Sequence, residues 1–213
     1  MLATIRWTTA ALTVASAAAA SVAAQEPRLE GRVPEPARQT VDALLDSARG
    51  RGLPTEPLVD RALEGASKGA SGDVIVAAVR RLMGELATAR TAMGSDAAVE
   101  ELIAGASALR AGAEPDALVR LRRSRPGQPL TVAASVLTDL VAVGVPVETA
   151  VSAVLTLASA ADDADYIAFR RNVERDVALG ASPVAALGVR LDAAAEADFN
   201  AGAGRAGAAP RKP

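Results

Sequence analysis

The segment LVAVGVPVETAV, residues 140–151, decides the fold of this chain. Gly144 interrupts an apolar run, and Pro146 and Glu148 follow it directly. Glycine ends a helix at low cost because it adopts the left-handed conformation, and the apolar residue after it packs back on the last turn. Proline in the first turn and an acid near the positive end favour a new helix. The segment therefore predicts two short helices joined by a tight turn.

The same junction recurs along the chain. Each copy has a glycine, an apolar residue and then a cap-like residue or proline, and an apolar pair follows six and seven residues after the glycine. The five copies start at Gly52, Gly69, Gly112, Gly144 and Gly180, and their pairs are Leu58–Val59, Ile75–Val76, Leu118–Val119, Ala150–Val151 and Ala186–Leu187. Gly94 and Gly127 are predicted as two further helix ends. Chance recurrence is the alternative, but apolar pairs in phase favour a repeat.

The spacing of these glycines predicts an all-α fold. The intervals between the stops are 17, 25, 18, 15, 17 and 36 residues, the last about twice 18. A unit of about 17–18 residues fits one helix and a turn, so two units form a hairpin of about 35 residues. We expect an α-solenoid-like array of about eight or nine short antiparallel helices, although the diagnostic residues of TPR and HEAT repeats are absent. The expected helices span residues 37–49, 55–67, 72–91, 96–111, 115–124, 131–143, 147–160, 163–179 and 183–199.

The two ends of the chain differ from this body. Residues 1–24 have the pattern of a secretory signal peptide: Arg6, an uncharged stretch and small residues before a cleavage site between Ala24 and Gln25. An uncleaved membrane anchor is the alternative, which the Thr and Ser content disfavours. We expect a periplasmic or extracellular protein with a disordered segment over residues 25–39, a helical domain over 40–199 and a disordered tail over 200–213.

Residues 129–161 are the most apolar part of the body, and a membrane hairpin is one interpretation of them. However, Thr131, Ser135 and Thr138 share one helical stripe with Asp139, and four polar residues of the next helix share another: Glu148, Ser152, Thr156 and Ser159. Gly144 and Pro146 also shorten the run below a bilayer span. The pattern favours two amphipathic helices buried in a water-soluble hairpin.

Composition excludes several classes of function. The chain has no His and no Cys and a formal net charge of −2. Catalysis by imidazole or thiolate is therefore absent, as are disulfides and the usual zinc sites. We expect no cofactor, no metal and no nucleic-acid partner.

Two charged clusters are candidates for function. Arg120, Arg122, Arg123 and Arg125 form the densest cluster, either as a favourable helix C-terminus or as an anion-binding patch. Asp162, Asp163 and Asp165 suggest calcium, but the spacing lacks the loop glycine and distal Glu of an EF-hand, and helix capping explains them. In the helix that follows, Tyr166, Phe169 and Val173 share a face that we expect in the core.

These observations favour a non-enzymatic, exported helical-repeat protein that binds a protein or an envelope component, a function inferred from architecture alone. An anion-binding envelope protein that uses the four arginines is the alternative. A carboxylate-based enzyme is the third interpretation, with Glu100, Glu101, Glu196 and Asp198 as the available acids.

Overall fold

The structure is a computed structural model that describes residues 26–207, with side chains described through residue 196. This part of the chain is all-helical and contains no strand. A 3₁₀ turn over Pro27–Leu29 precedes nine helices, which are α1 (Glu35–Gly50), α2 (Glu56–Ser67), α3 (Gly72–Met93), α4 (Val99–Arg110), α5 (Pro115–Ser124), α6 (Thr131–Ala142), α7 (Val147–Leu157), α8 (Asp163–Ala178) and α9 (Pro183–Gly207). The predicted all-α class is confirmed.

The glycine junctions form as the sequence predicts. All seven glycines expected to stop a helix have positive φ, from 66° at Gly52 to 108° at Gly94. At Gly144 the amide of Val145 donates to the Leu140 carbonyl at 3.0 Å and the Gly144 amide donates to Val141 at 3.0 Å. This pair of bonds is a Schellman motif, and it recurs at Gly52, Gly69, Gly112 and Gly180. The apolar pairs that follow are buried or half-buried at all five junctions.

The start of each new helix depends less on side-chain caps than the sequence suggests. Thr55 and Ser71 make no capping hydrogen bond. Ser182 does, because its hydroxyl accepts from the Ala185 amide at 3.3 Å. Proline stands in the first turn of α1, α2, α5 and α9, where its missing amide hydrogen leaves no helical hydrogen bond unmade.

Helices pack both on the next helix in the chain and on the helix two positions away. In the described part, the extensive contacts join helices that are one or two positions apart in chain order. Helices α1, α3 and α5 follow one another in one row, and α4, α6 and α8 follow one another in a second row. Small residues allow close approach between the rows, as where Gly105 of α4 lies against Ala89 and Met93 of α3. One continuous apolar core runs between the rows.

The apolar hairpin of α6 and α7 is buried on the expected side. Leu137, Leu140 and Val154 are almost fully buried. The polar stripe of α7 is exposed, and that of α6 is partly exposed. Among the described residues, no helix combines the length and the apolar character that crossing a bilayer requires.

The disorder expected over residues 25–39 is wrong from Glu26 onward. Leu29 and Val33 enter the core at 0% and 4% exposure. Arg28 binds Glu56 through two hydrogen bonds of 2.6 and 2.7 Å, and the Glu26 amide donates to Asp42 at 3.2 Å. Two apolar side chains and a paired arginine are enough to anchor this short segment, despite its prolines and charges.

The C-terminal helix also differs from the expected boundary. Helix α9 continues to Gly207, past the predicted start of a disordered tail at Asn200. Alanine is the strongest helix former, and its frequency here offsets the unfavourable glycines. Residues 208–213, like the predicted signal peptide and its Ala24–Gln25 cleavage site, lie outside the described residues.

Candidate binding surface around α4

Two open grooves run along the two sides of α4. The α2–α4 groove lies between α2, α3 and α4 and has a volume of about 330 Å³. The α4–α6 groove lies between α4 and α6 and has a volume of about 380 Å³. Ile103 and Ser107 line both grooves, so the face of α4 that carries them is a wall shared by the two grooves. Ile103 is 39% exposed and Val99 is 48% exposed, which places two large apolar side chains on α4 in contact with solvent.

The α2–α4 groove has an apolar floor and a charged rim. Leu82 and Leu86 of α3 form the floor. On the rim Arg61 pairs with Glu64 at 3.0 Å, and Arg110 pairs with Glu85 at 3.0 Å. Exposed ion pairs of this kind add little to stability. These two ion pairs balance positive and negative charge along the rim of the groove.

The α4–α6 groove is acidic and rich in hydroxyl groups. Glu100 and Asp139 lie among the side chains that line it, together with Ser107, Thr131, Ser135 and Thr138. Ser107 donates to the Ile103 carbonyl at 3.0 Å and Thr138 donates to Ala134 at 3.2 Å. Because both hydroxyl protons are donated within the helices, the hydroxyl oxygens of Ser107 and Thr138 are available to the groove as acceptors. The groove therefore suits a ligand that supplies hydrogen-bond donors or positive charge.

The four arginines of the predicted anion patch do not share one surface. Arg122 is half-buried, where it donates to the carbonyls of Met93 at 3.1 Å and Gln128 at 2.9 Å and pairs with Glu101. Arg125 is only 2% exposed. Arg120 and Arg123 are exposed and have no ion-pair partner in the described part of the chain. An anion site would rest on these two residues alone.

Glu101 is the centre of a structural cluster rather than one of a pair of exposed acids. Its carboxylate accepts from the amides of Ala98 and Leu130, each at 2.8 Å, and from Arg122. Burial opposes ionisation, but these three donors outweigh it and lower the pKa of Glu101 below its ordinary value of 4.5. The cluster ties the start of α4 to α5 and to the α5–α6 loop. Its neighbour Glu100 faces the α4–α6 groove instead, so these two carboxylates do not converge.

Arg125 forms a second structural cluster at the α7–α8 turn. It donates to the Ala161 carbonyl at 2.6 Å and to Asp163 at 3.1 Å, and its guanidinium lies 5.1 Å from the centre of the Tyr166 ring. The Tyr166 hydroxyl in turn donates to the Val154 carbonyl at 2.7 Å. Tyr166 and Phe169 are buried in the core as predicted.

The acidic cluster beside Arg125 caps α8. Asp162 accepts from the Asp165 amide at 2.9 Å and Asp165 accepts from the Asp162 amide at 3.0 Å, which is a capping box. Asp163 pairs with Arg125. The prediction of capping is confirmed. Within residues 26–196, no group of three potential ligand side chains is placed to hold a metal ion.

Sequence reasoning missed that Arg122 and Arg125 belong to the interior. Both follow Leu118 at core spacing, four and seven residues further along the helix, whereas Arg120 and Arg123 fall on the other side. The helical spacing from Leu118 indicates that Arg122 and Arg125 face the core, but the density of arginines in this segment suggested a surface patch instead. By contrast, the outward hydroxyl stripe of α6 was predicted, and it lines the α4–α6 groove.

Comparison of the chain with protein-family models, with curated proteins and with solved structures gives no significant match.

Proposed function

We propose that this protein is an exported, non-enzymatic helical-repeat protein that binds another protein through the surface around α4. The observation that carries the proposal is the pair of adjoining grooves with Ile103 between them. An exposed isoleucine with apolar floor residues on one side and acceptor groups on the other offers both apolar and polar contacts to one ligand. Together the grooves span α2 to α6.

The chemistry of the surface favours an extended segment of the partner with a basic side chain. Glu100 and Asp139 attract a cation at the α4–α6 groove, although Arg170 partly offsets Asp139 from 3.5 Å. An apolar side chain of the partner would cover Ile103. Such a segment also brings backbone amide donors to the hydroxyl oxygens of Ser107 and Thr138.

The packing pattern supports a solenoid-like repeat as the scaffold for this surface. Stacked hairpins contact only their neighbours, and the helix contacts here follow that rule. Arrays of this kind present extended surfaces to partners, which is an argument from architecture.

Export rests on the pattern of residues 1–24. The first contacts of the folded part, from Glu26 to Asp42 and from Arg28 to Glu56, are compatible with a mature chain that begins at Gln25. Removal of the leader would leave these contacts intact.

The experiment places a photo-crosslinking amino acid at Ile103 in the native organism, with Ser152 of α7 as the matched exposed control. We expect a discrete crosslinked protein from Ile103 and none from Ser152. The recovered partner is then titrated against the purified Ile103→Asp and Ser152→Asp variants by calorimetry.

The proposal predicts that Ile103→Asp weakens binding about tenfold or more, because it places a charge in the apolar centre of the interface. Ser152→Asp should bind as the parent does. Equal affinity of the two variants, or crosslinking from Ser152 alone, would place the binding surface elsewhere.

A further inference from the structure

Two of the glycine junctions are covered by a later junction, and the last junction, at Gly180, is uncovered. A methyl group at Gly112 would lie 3.4 Å from Val147, the first residue of α7. At Gly144 it would lie 3.3 Å from Pro183, the first residue of α9. Each of these junctions is thus covered by the junction two helices later. Among the described residues, nothing lies within 4 Å of the corresponding position at Gly180, as is also the case at Gly69.

Apolar side chains are exposed at this uncovered edge. Leu179 is 80% exposed, Val184 is 51% exposed and Val189 is 61% exposed. The residues that correspond to Leu179 in the two preceding junctions, Ala111 and Val143, are half-buried. Toward the other end of the molecule, between residues 26 and 98, one large apolar side chain is exposed, Val74 at the start of α3, which is 58% exposed.

The exposed charges at this edge are separated by helix. Arg171 and Arg175 lie one turn apart on the exposed side of α8, and Asp192 and Glu196 lie about one turn apart on the exposed side of α9. Among the described residues, Arg171, Asp192 and Glu196 have no ion-pair partner, and Arg175 reaches only Asp176, at 3.7 Å. The part of α8 from Arg171 onward therefore presents exposed positive charge, although Asp165 is exposed near the start of the helix, and α9 presents exposed negative charge.

We propose that the α8–α9 edge is the contact surface of a homodimer. A two-fold axis places α8 of one copy against α9 of the other, so that the basic pair meets the acidic pair twice. The same arrangement covers Leu179, Val184 and Val189 in both copies. Head-to-tail stacking would bury less apolar surface, because Val74 is the one large apolar side chain exposed toward the N-terminal end of the described residues.

The test is a charge exchange measured by sedimentation equilibrium on the purified protein with its native N-terminus. The parent should dimerise. An acidic-edge variant, Arg171→Glu with Arg175→Glu, and a basic-edge variant, Asp192→Arg with Glu196→Arg, should each raise the dimer dissociation constant about tenfold or more through like-charge contact. A 1:1 mixture of the two should recover the dimer, because both contacts are again complementary.

The control is Arg80→Glu with Arg81→Glu, two exposed arginines of α3. It should leave the dissociation constant unchanged, and circular dichroism should show parental folding in all variants. A monomeric parent would overturn the proposal. So would a parental dissociation constant in either edge variant, or a mixture that stays monomeric.

Discussion

Gly144 shows at the scale of one residue why the chain turns where it does. Its φ of 96° is strained for any residue with a β-carbon, and a methyl group there would also press on Pro183. We expect Gly144→Ala to lower the free energy of unfolding by about 1 kcal/mol or more.

Gly84, an exposed helical residue of α3 with open space around it, is the matched control. Gly84→Ala should raise stability by about 0.5–1 kcal/mol. Denaturant titration measures both, and a Gly144→Ala protein more stable than the parent would contradict the junction.

The carboxylate of Glu101 makes the stability of the protein depend on pH in acid. Because its folded-state pKa is lowered, its contribution to stability is complete above the pKa of the unfolded chain and is lost as the pH falls through the folded-state pKa. We expect stability to stay nearly flat from about pH 6 to 8, where no side chain of ordinary pKa titrates in a chain without histidine, and to fall below about pH 4.5.

The variant Glu101→Gln tests this assignment. It should cost about 1.5–3 kcal/mol near neutral pH, because Arg122 loses its charged partner. Its unfolding free energy, measured by denaturant titration at several pH values, should also fall less steeply with acid than that of the parent. An unchanged acid slope would mean that other carboxylates govern the transition.

At the scale of the helix, α6 packs on α4, α7 and α8 through its buried side. Leu140 is 0% exposed, and its carbonyl also closes the turn at Gly144. Leu140→Ala should cost about 2–5 kcal/mol, from lost apolar burial and the cavity left behind. The same change at Leu179, which is 80% exposed, should cost less than about 0.5 kcal/mol in the monomer. Similar losses at the two sites in thermal unfolding would contradict this account of the core.

Helix positions were largely predictable from local signals, whereas the surface depended on contacts between helices. Each helix end at Gly52, Gly112 and Gly144 depends on the left-handed backbone conformation of that single glycine. The roles of Arg122 and Arg125 depend on Glu101 and Asp163, which lie far along the chain. The grooves around α4 depend in the same way on how α2, α3, α4 and α6 meet. No single segment of sequence contains that information.

At the scale of the whole molecule, export makes a direct prediction about the N-terminus. If residues 1–24 are a cleaved leader, mass spectrometry of the protein from its native envelope or medium should find a chain that begins at Gln25. Protein made in a strain with its signal peptidase inhibited is the control, and it should keep Met1. A membrane-bound product that keeps residues 1–24 in the normal strain would favour the anchor instead.

Tyr166 gives the mature protein a built-in optical probe. The chain has one tyrosine and one tryptophan, and the tryptophan, Trp7, falls within the predicted leader. Near-ultraviolet absorbance and intrinsic fluorescence of the mature chain would then report almost entirely on one buried ring beneath Arg125. Burial raises the pKa of Tyr166 to about 12, so its contribution to stability is complete below the ordinary phenol pKa of about 10 and is lost as the pH rises from there toward 12. A spectrophotometric titration should therefore detect phenolate near pH 12 in the native protein and near pH 10 in denaturant. A native chain that ionises near pH 10 would show that the ring is open to solvent.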